Sequence, residues 1–180
     1  MPEQTLNPAP TQARRDDPGA FLEAHYRQIW ATQRAALPSP NPCLQVAAIG
    51  FSRVDGDWLG VMVTPWFLNL MLLPGGGNLW GDIPAGQRRY LELACGTVQF
   101  IADDDPDIGP YQYSSLLAPV TSLADMAAAR QVGQDALAAV LTQPLVMAAD
   151  MPRAAGQATD EAPPPMLSRR GFLRRLSGKR

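Results

Sequence analysis

Residues 61–74 (VMVTPWFLNLMLLP) form an uncharged, largely apolar block that constrains the fold more than any other part of the chain. A block of this kind has to be buried against other parts of the protein or against a partner. Thr64 and Pro65 are typical of a helix start, because threonine caps free amides and proline fits the first helical turn. The sequence therefore predicts a short central helix over 66–73, ended by Pro74 and the glycines that follow it.

The residue patterns on either side of this block predict two longer helices and several paired strands. Apolar residues at helical spacing predict an N-terminal helix over 21–37, and Ser122 with Asp125 predicts a capped C-terminal helix that ends before Pro144. Strands are expected at 44–54, 58–63, 91–101 and 111–117, with turns at 55–56 and 103–110. The fold class is therefore α+β: an antiparallel sheet of about four to five strands, with the N- and C-terminal helices packed on it and the short central helix.

Composition divides the chain into one domain and its terminal segments. Residues 1–18 are rich in proline and poor in apolar side chains, which predicts a disordered leader. Residues 19–150 are expected to form a single α+β domain, followed by a linker at 151–167 that is rich in proline and alanine. Neither an export signal nor an apolar run of about 18 residues is found, so we expect a cytoplasmic protein without stable membrane insertion.

The net charge of −2 hides an uneven distribution. Six basic residues and no acidic residue lie in positions 166–180, so residues 1–165 carry the other 9 basic and all 17 acidic residues. A basic tail of this kind is typical of an interaction segment, and it suits either nucleic acid or the acidic domain of its own chain. Because the acidic domain would repel nucleic acid, we expect no nucleic-acid partner.

The sequence contains no complete catalytic or metal-binding motif. His25 is the only histidine, and no G-x-S-x-G motif accompanies it, so we interpret it as an ordinary residue of the first helix. The glycines at 75–77 lack the lysine of a phosphate-binding loop. The aspartates within 103–107 lack the glycine and the final glutamate of a calcium loop, so a solvated turn is expected there. Cys95 is interpreted as a buried apolar residue of a strand. We therefore expect no enzymatic activity, no metal and no cofactor.

The basic tail at 168–180 contains a second unusual pattern. Ser168, Arg169, Arg170, Phe172 and Leu173 match the twin-arginine export motif S-R-R-x-F-L-K. The match lies far from the N-terminus and lacks the apolar stretch of an export signal, so it does not direct export. Either the match arises by chance in an arginine-rich tail, or the tail imitates a signal peptide that this protein binds.

Several short motifs recur together in one known family. They are W-x-G at 58–60, V-T-P-W-F-L at 63–68, L-P-G at 73–75, L-W at 79–80, residues 96–100, G-P-Y-Q at 109–112, S-L at 115–116 and Pro119. With them the chain resembles, over most of residues 19–145, the HybE/HupJ family of [NiFe]-hydrogenase assembly chaperones, which also includes HoxT. Ser114 stands where several relatives have cysteine, and Ala94 where they often have proline.

The resemblance implies a non-enzymatic cytoplasmic factor that attends a [NiFe]-hydrogenase subunit until its cofactors are in place. Small subunits of uptake hydrogenases carry twin-arginine signals, so the implied client is a small-subunit precursor, its signal peptide, or both. A large-subunit precursor and other maturation proteins are further partners. Acidic residues would suit the arginines of a signal, and the apolar block its apolar stretch.

On this interpretation the client-binding residues are expected in the apolar block and the second motif cluster: Trp58, Thr64, Pro65, Trp66, Phe67, Leu70, Met71, Tyr111 and Gln112. The alternative function is delivery of a metal or cofactor to the hydrogenase active site.

Overall fold

A computed structural model describes residues 13–142 and shows two helices and one six-stranded antiparallel sheet among them. The elements are α1 (Gly19–Gln33), β1 (Ala47–Val54), β2 (Asp57–Val63), β3 (Leu68–Leu73), β4 (Arg88–Leu93), β5 (Gly96–Asp105), β6 (Gly109–Leu117) and α2 (Met126–Leu141). Single 3₁₀ turns lie at Arg34–Ala36 and Val120–Ser122. The strand order is β1-β2-β3-β6-β5-β4, so β1 and β4 are the edges. The α+β class is confirmed, whereas the expected four to five strands were too few.

The apolar block forms a β-hairpin, so the predicted short central helix over 66–73 is wrong. The Thr64 hydroxyl accepts hydrogen bonds from the amides of Trp66 (3.3 Å) and Phe67 (2.9 Å), and it thereby closes the turn between β2 and β3. The capping chemistry that predicted a helix start therefore serves a turn. β2 and β3 are buried on both faces because a helix packs on each side of the sheet, which explains the continuous apolar run.

The segment predicted as one strand at 91–101 consists of two strands. Leu93 pairs with Gly96, and Ala94 and Cys95 form the turn between β4 and β5. Gly96 has φ +110°, a backbone conformation that residues with a Cβ rarely adopt. Cys95 therefore lies in a partly buried turn and not in a strand.

Other local predictions are confirmed or shifted. The Asp55–Gly56 turn joins β1 to β2, with φ of +47° and +90° at the two residues, as its sequence predicts. The predicted start of the second helix at Ser122 was too early. Asp125 is the N-cap of α2, and its carboxylate accepts a hydrogen bond from the amide of Ala128 at 2.8 Å.

The two helices pack on opposite faces of the same half of the sheet. On one face, Gly133 of α2 allows the helix to approach Ile49 and Val61, because a Cβ at this position would lie 3.0 Å from the Ile49 side chain. On the other face, Leu22 and Tyr26 of α1 join a buried cluster with the methionines of β2 and β3. Both helices therefore cover β1 to β3. Neither helix of the described residues is long and apolar enough to span a membrane.

On the side of the sheet where α2 lies, β4 to β6 are covered by a loop and not by a helix. This loop is the segment between β3 and β4 (74–87), and we call it the covering loop. Leu79 packs into the core beside Leu91 and Phe100. Gln112 of β6 donates a hydrogen bond to the carbonyl of Gly81 at 2.7 Å, and the amide of Gly86 donates to Ala102 at 2.7 Å. The covering loop thus buries one face of this half of the sheet.

The buried carboxylate of Asp57 holds the first part of the covering loop. It accepts hydrogen bonds from the amides of Gly75 (2.7 Å), Gly77 (3.0 Å) and Trp80 (2.6 Å). Charge-assisted bonds of this kind are the stronger ones in proteins. Asp57 therefore joins the β1–β2 turn to a loop that lies about 20 residues later in the chain.

The structure describes residues 13–18 of the predicted leader, and Arg14 in this segment contacts the covering loop, β2 and the turn between β5 and β6. The amide of Arg14 donates to the carbonyl of Pro74 at 2.7 Å, and its guanidinium donates to the carbonyl of Ile108. The carbonyl of Arg14 accepts from the Trp58 indole at 3.0 Å. Residues 13–18 therefore pack on the domain. The predicted linker at 151–167 and basic tail at 168–180 lie outside the described residues.

Replacing Asp57 should destabilise the protein. Asp57→Asn removes the charge and turns an amide donor toward backbone donors, so we expect the free energy of unfolding to fall by about 2–3 kcal/mol. Asp55→Asn removes the same charge at an exposed position and should change stability by less than about 0.5 kcal/mol. Urea unfolding of both variants measures the difference, and equal midpoints would contradict the role of Asp57.

Truncating Leu70 should reveal its place in the core. Leu70 is 0% exposed in β3, so Leu70→Ala should lower the free energy of unfolding by about 2–5 kcal/mol. Leu141→Ala is the control, because Leu141 is 43% exposed at the end of α2. Thermal or urea unfolding distinguishes the two, and a stability unchanged by Leu70→Ala would contradict its burial.

Candidate functional site

The α1-side face of β4 to β6 is the most open part of the sheet in the described residues. Strand register places Ile101 between Tyr113 of β6 and Arg88 of β4, and it places Gln99 beside Tyr90. Tyr90 is 50% exposed, and most of its neighbours are partly exposed. We call this surface the open face; it consists of Arg88, Tyr90, Glu92, Thr97, Gln99, Ile101, Tyr113 and Ser115.

An acidic turn lies at one end of the open face, where β5 leads into β6. The Asp105 carboxylate organises this turn: its Oδ1 atom accepts hydrogen bonds from the amides of Asp107 (2.9 Å) and Ile108 (3.0 Å). Asp103 accepts a hydrogen bond from the Tyr111 hydroxyl at 2.9 Å. Burial raises the pKa of Tyr111 far above its usual value, so this tyrosine stays a neutral donor beside the carboxylates.

His25 of α1 contacts the acidic turn. Its Nε2 atom lies 3.3 Å from Asp105 Oδ2, and its Nδ1 atom lies 3.6 Å from Asp107 Oδ2. The imidazole side chain is only 10% exposed. The sequence interpretation of residues 103–107 as a solvated turn was therefore incomplete, because a buried histidine from another element packs against it.

An aromatic cluster lies around the hairpin turn at the other end of β6. Trp66 stacks on Trp30 of α1, with ring centroids 6.0 Å apart and planes at 14°. Tyr26 packs edge-on against Phe67 at 5.3 Å, and the Arg34 guanidinium lies 4.6 Å from the Trp30 ring. Trp30, Trp66 and Phe67 remain partly exposed. The turn between β2 and β3 thus presents apolar rings at the surface.

Five of the residues expected to bind a client have structural contacts that bury them. Leu70 and Met71 are 0% and 1% exposed because they lie in the central strand β3. The hydroxyl of Thr64 closes the hairpin turn, and the amide of Gln112 holds the covering loop. Trp58 is buried beneath the Arg53 guanidinium, which lies 4.6 Å from its ring. These five side chains have almost no surface to offer a client.

The remaining predicted residues divide between the interior and the surface. Pro65 is buried, and its carbonyl accepts a hydrogen bond from the amide of Asn41 at 2.6 Å. Trp66, Phe67 and Tyr111 are partly exposed, and they flank the open face without forming it. The tail residues Ser168, Arg169, Arg170, Phe172 and Leu173 lie outside the described residues.

The sequence reasoning missed the open face itself. Ile101 and Gln99 alternate with Phe100 along β5, and Tyr113 follows Tyr111 by two positions on β6. This alternation of a buried face with a partly exposed one is the available signal. A single predicted strand over 91–101 conceals this signal, because it leaves out the pairing of Tyr90 with Gln99.

His25, Asp105 and Asp107 could share a metal ion, because one ligand atom from each lies within 4.8 Å of the others. Within residues 13–142, no other set of three or more histidine, cysteine, aspartate or glutamate side chains comes this close together. Cys43 is exposed and lies outside this group. The group consists of one imidazole and two carboxylates, so it offers ligand atoms and negative charge.

Comparisons with known proteins agree with this fold. A family model described as "[NiFe]-hydrogenase assembly, chaperone, HybE" matches residues 17–175. The chain is 32% identical to Protein HoxT of Cupriavidus necator, covering 88% of this chain and 90% of that protein. It is 32% identical to the hydrogenase expression/formation protein HupJ of Bradyrhizobium diazoefficiens over 87% and 86% of the two chains.

Two further similarities differ in extent. The chain is 36% identical to the probable rubredoxin HupJ of Rhodobacter capsulatus, but the match covers 58% of this chain and 38% of that protein. The solution structure of HybE from Escherichia coli has the same fold, with a TM-score of 0.59, 22% identity, and 83% and 96% of the two chains covered. The family match and these relatives together show that the chain belongs to the HybE family of [NiFe]-hydrogenase assembly chaperones.

Proposed function

We propose that this protein is a non-enzymatic cytoplasmic chaperone that binds a [NiFe]-hydrogenase subunit precursor before export, and that the open face holds the twin-arginine signal peptide of the small subunit. Membership of the assembly chaperone family supports the maturation role. We choose this surface on one observation: the helices cover only one half of the sheet. On one side α2 contacts β1 to β3, and on the other α1 packs on β1 and on the methionines of β2 and β3, while the α1-side face of β4 to β6 keeps partly exposed side chains.

The composition of the open face suits an apolar segment flanked by charge. Tyr90, Ile101 and Tyr113 supply apolar area, and aromatic residues of this kind are enriched where interfaces carry most of their binding energy. Thr97 donates to Glu92 and Gln99 donates to Tyr90 within the face, and the remaining donor and acceptor positions of both side chains can bond to the backbone of a bound peptide. The face belongs to a sheet whose other side is held by the covering loop, so little order has to be gained on binding.

The acidic turn gives the bound peptide a direction. Asp103, Asp105 and Asp107 provide carboxylates at the end of the open face where β6 begins, and arginine binds carboxylates with two parallel hydrogen bonds. The nine residues of β6 span roughly 30 Å at the rise of an antiparallel strand. A peptide with its arginines at the acidic turn would therefore place its apolar stretch near Trp66 and Phe67.

Substitutions on the open face should weaken signal-peptide binding. The probe is a synthetic peptide with S-R-R-x-F-L-K and a following apolar stretch, measured by fluorescence anisotropy. Tyr90→Ser and Ile101→Ser should each raise the Kd about tenfold, because each removes an apolar contact of more than about 1 kcal/mol. Leu141→Ser is the control, since it removes an apolar side chain on α2 that is 43% exposed, against 50% for Tyr90, and it should leave the Kd unchanged.

A second control tests the role of the arginines in the peptide. A peptide with both arginines replaced by lysine keeps its charge but cannot bind a carboxylate through two bonds, so it should bind more weakly. Unchanged affinity in both open-face variants, with unchanged thermal midpoints, would exclude this surface. A loss that is equal in Leu141→Ser would also exclude it. Neither result would alter the family assignment.

We propose further that the basic tail competes for this surface within the same chain. Arg169, Arg170, Phe172 and Leu173 reproduce the core of the signal motif, and their charge complements the acidic turn. A tethered competitor acts at an effective concentration on the order of millimolar. The tail would then keep the surface covered until a better ligand, a complete signal peptide, displaces it.

Removing residues 152–180 should therefore strengthen binding of the same peptide by about tenfold, the factor expected for a weak tethered competitor. Arg169→Lys with Arg170→Lys in the full chain should strengthen binding in part, because the charge stays while the paired hydrogen bonds are lost. Equal affinity in all three proteins would remove the competition by the tail and leave the chaperone role intact.

A further inference from the structure

We propose that His25, Asp105 and Asp107 form a binding site for a divalent transition-metal ion, with His25 Nε2 and Asp105 Oδ2 as ligands and Asp107 as the carboxylate that orients the imidazole. The site joins α1 to the turn between β5 and β6. The proposal rests on the geometry of these three side chains and not on the client-binding role, although Asp105 and Asp107 also belong to the acidic turn proposed to bind the peptide's arginines.

The first observation is the placement of His25 Nε2. This atom is buried and has no hydrogen-bond partner in the described residues, although Asp105 Oδ2 lies 3.3 Å away. Two ligands on one tetrahedral zinc ion lie about 3.3 Å apart, given metal–ligand distances near 2.0 Å. In such a site the carboxylate oxygen lies off the axis of the nitrogen lone pair, because the ion occupies that axis. The contact between His25 and Asp105 has this form.

The second observation is that the other ring nitrogen faces a different carboxylate. Nδ1 of His25 lies 3.6 Å from Asp107 Oδ2. Histidines that bind metals usually donate their second N–H to a carboxylate, which fixes the tautomer and directs the free nitrogen at the ion. Asp107 is in position for this role. A small movement of the exposed Asp107 side chain would shorten this distance to that of a hydrogen bond, and the imidazole is itself only 10% exposed.

The ligand set indicates the class of ion. An imidazole nitrogen disfavours Mg²⁺ and Ca²⁺, which prefer oxygen ligands alone, and suits Zn²⁺, Co²⁺ or Ni²⁺. Asp105 Oδ1 is already bonded to two amides of the turn, so Oδ2 is the oxygen that remains for the ion. Two protein ligands leave coordination positions for water, so we expect exchangeable binding and not a permanently held structural ion.

Because His25 is the only histidine of the chain, its imidazole signals report on the site directly in the unmodified protein. The experiment is a titration of the full chain, prepared without a histidine tag, with ZnCl₂ and separately with MgCl₂. Two-dimensional ¹H–¹⁵N spectra of the imidazole should show a large shift of Nε2 with Zn²⁺ and none with Mg²⁺. Calorimetry should give one Zn²⁺ ion per chain. Imidazole signals that do not respond to Zn²⁺ would overturn the proposal.

Variants then test each role. His25→Gln and Asp105→Asn should abolish Zn²⁺ binding, and Asp107→Asn should raise the Kd about 10- to 100-fold, as expected for loss of an orienting carboxylate. Asp104→Asn is the matched control, because it removes the same charge from an exposed position beside Asp105 and should leave the Kd unchanged.

Two further outcomes keep the test decisive. Cys43→Ser should leave Zn²⁺ binding unchanged, and a loss there would assign the ion to the exposed thiol and overturn the site. Zn²⁺ should also raise the thermal midpoint of the wild-type protein, because the ion binds the folded state, and this rise should disappear in His25→Gln. Zn²⁺ binding that persists unchanged in His25→Gln would likewise refute the proposal.

Discussion

The buried carboxylate of Asp57 is the interaction on which the arrangement of this domain depends. It belongs to the first hairpin, yet it binds three amides of the covering loop. A charge removed from water is stable only when it is bonded in this way. The loop that it holds closes one face of β4 to β6, where a helix would otherwise be needed. The opposite face of the same strands is left as the most open surface of the sheet.

The strands that carry the family motifs are the most deeply buried ones. The family motifs W-x-G and V-T-P-W-F-L lie in β2, at the start of β3 and in the turn between these strands. They hold the sheet together by burial, since hydrophobic transfer is the main favourable term in folding. The surface proposed to bind a client lies on β4, β5 and β6, where the sequence pattern is a weaker alternation of buried and partly exposed residues.

Much of the fold could be predicted from the sequence because local rules were strong at particular positions. The Asp55–Gly56 turn, the first helix and the pairing of β5 with β6 follow from turn chemistry and periodicity. The central helix failed because Thr64 and Pro65 suit a turn as well as a helix start, and only the layers on both sides make β3 apolar throughout. The acidic turn was seen, but its contact with His25 joins residues 80 positions apart, which no local pattern contains.

The close packing of the covering loop against the first hairpin restricts how this protein can diversify. A Cβ at Gly77 would overlap the carbonyl of Asp55, and a Cβ at Gly75 would overlap that of Gly56. A larger residue at either glycine would push the covering loop away from the first hairpin, although these segments are in contact. A substitution in one segment would therefore need a compensating change in the other. Relatives of this chain should therefore keep both glycines, whereas exposed positions on β4, such as Arg88, can change without moving this junction.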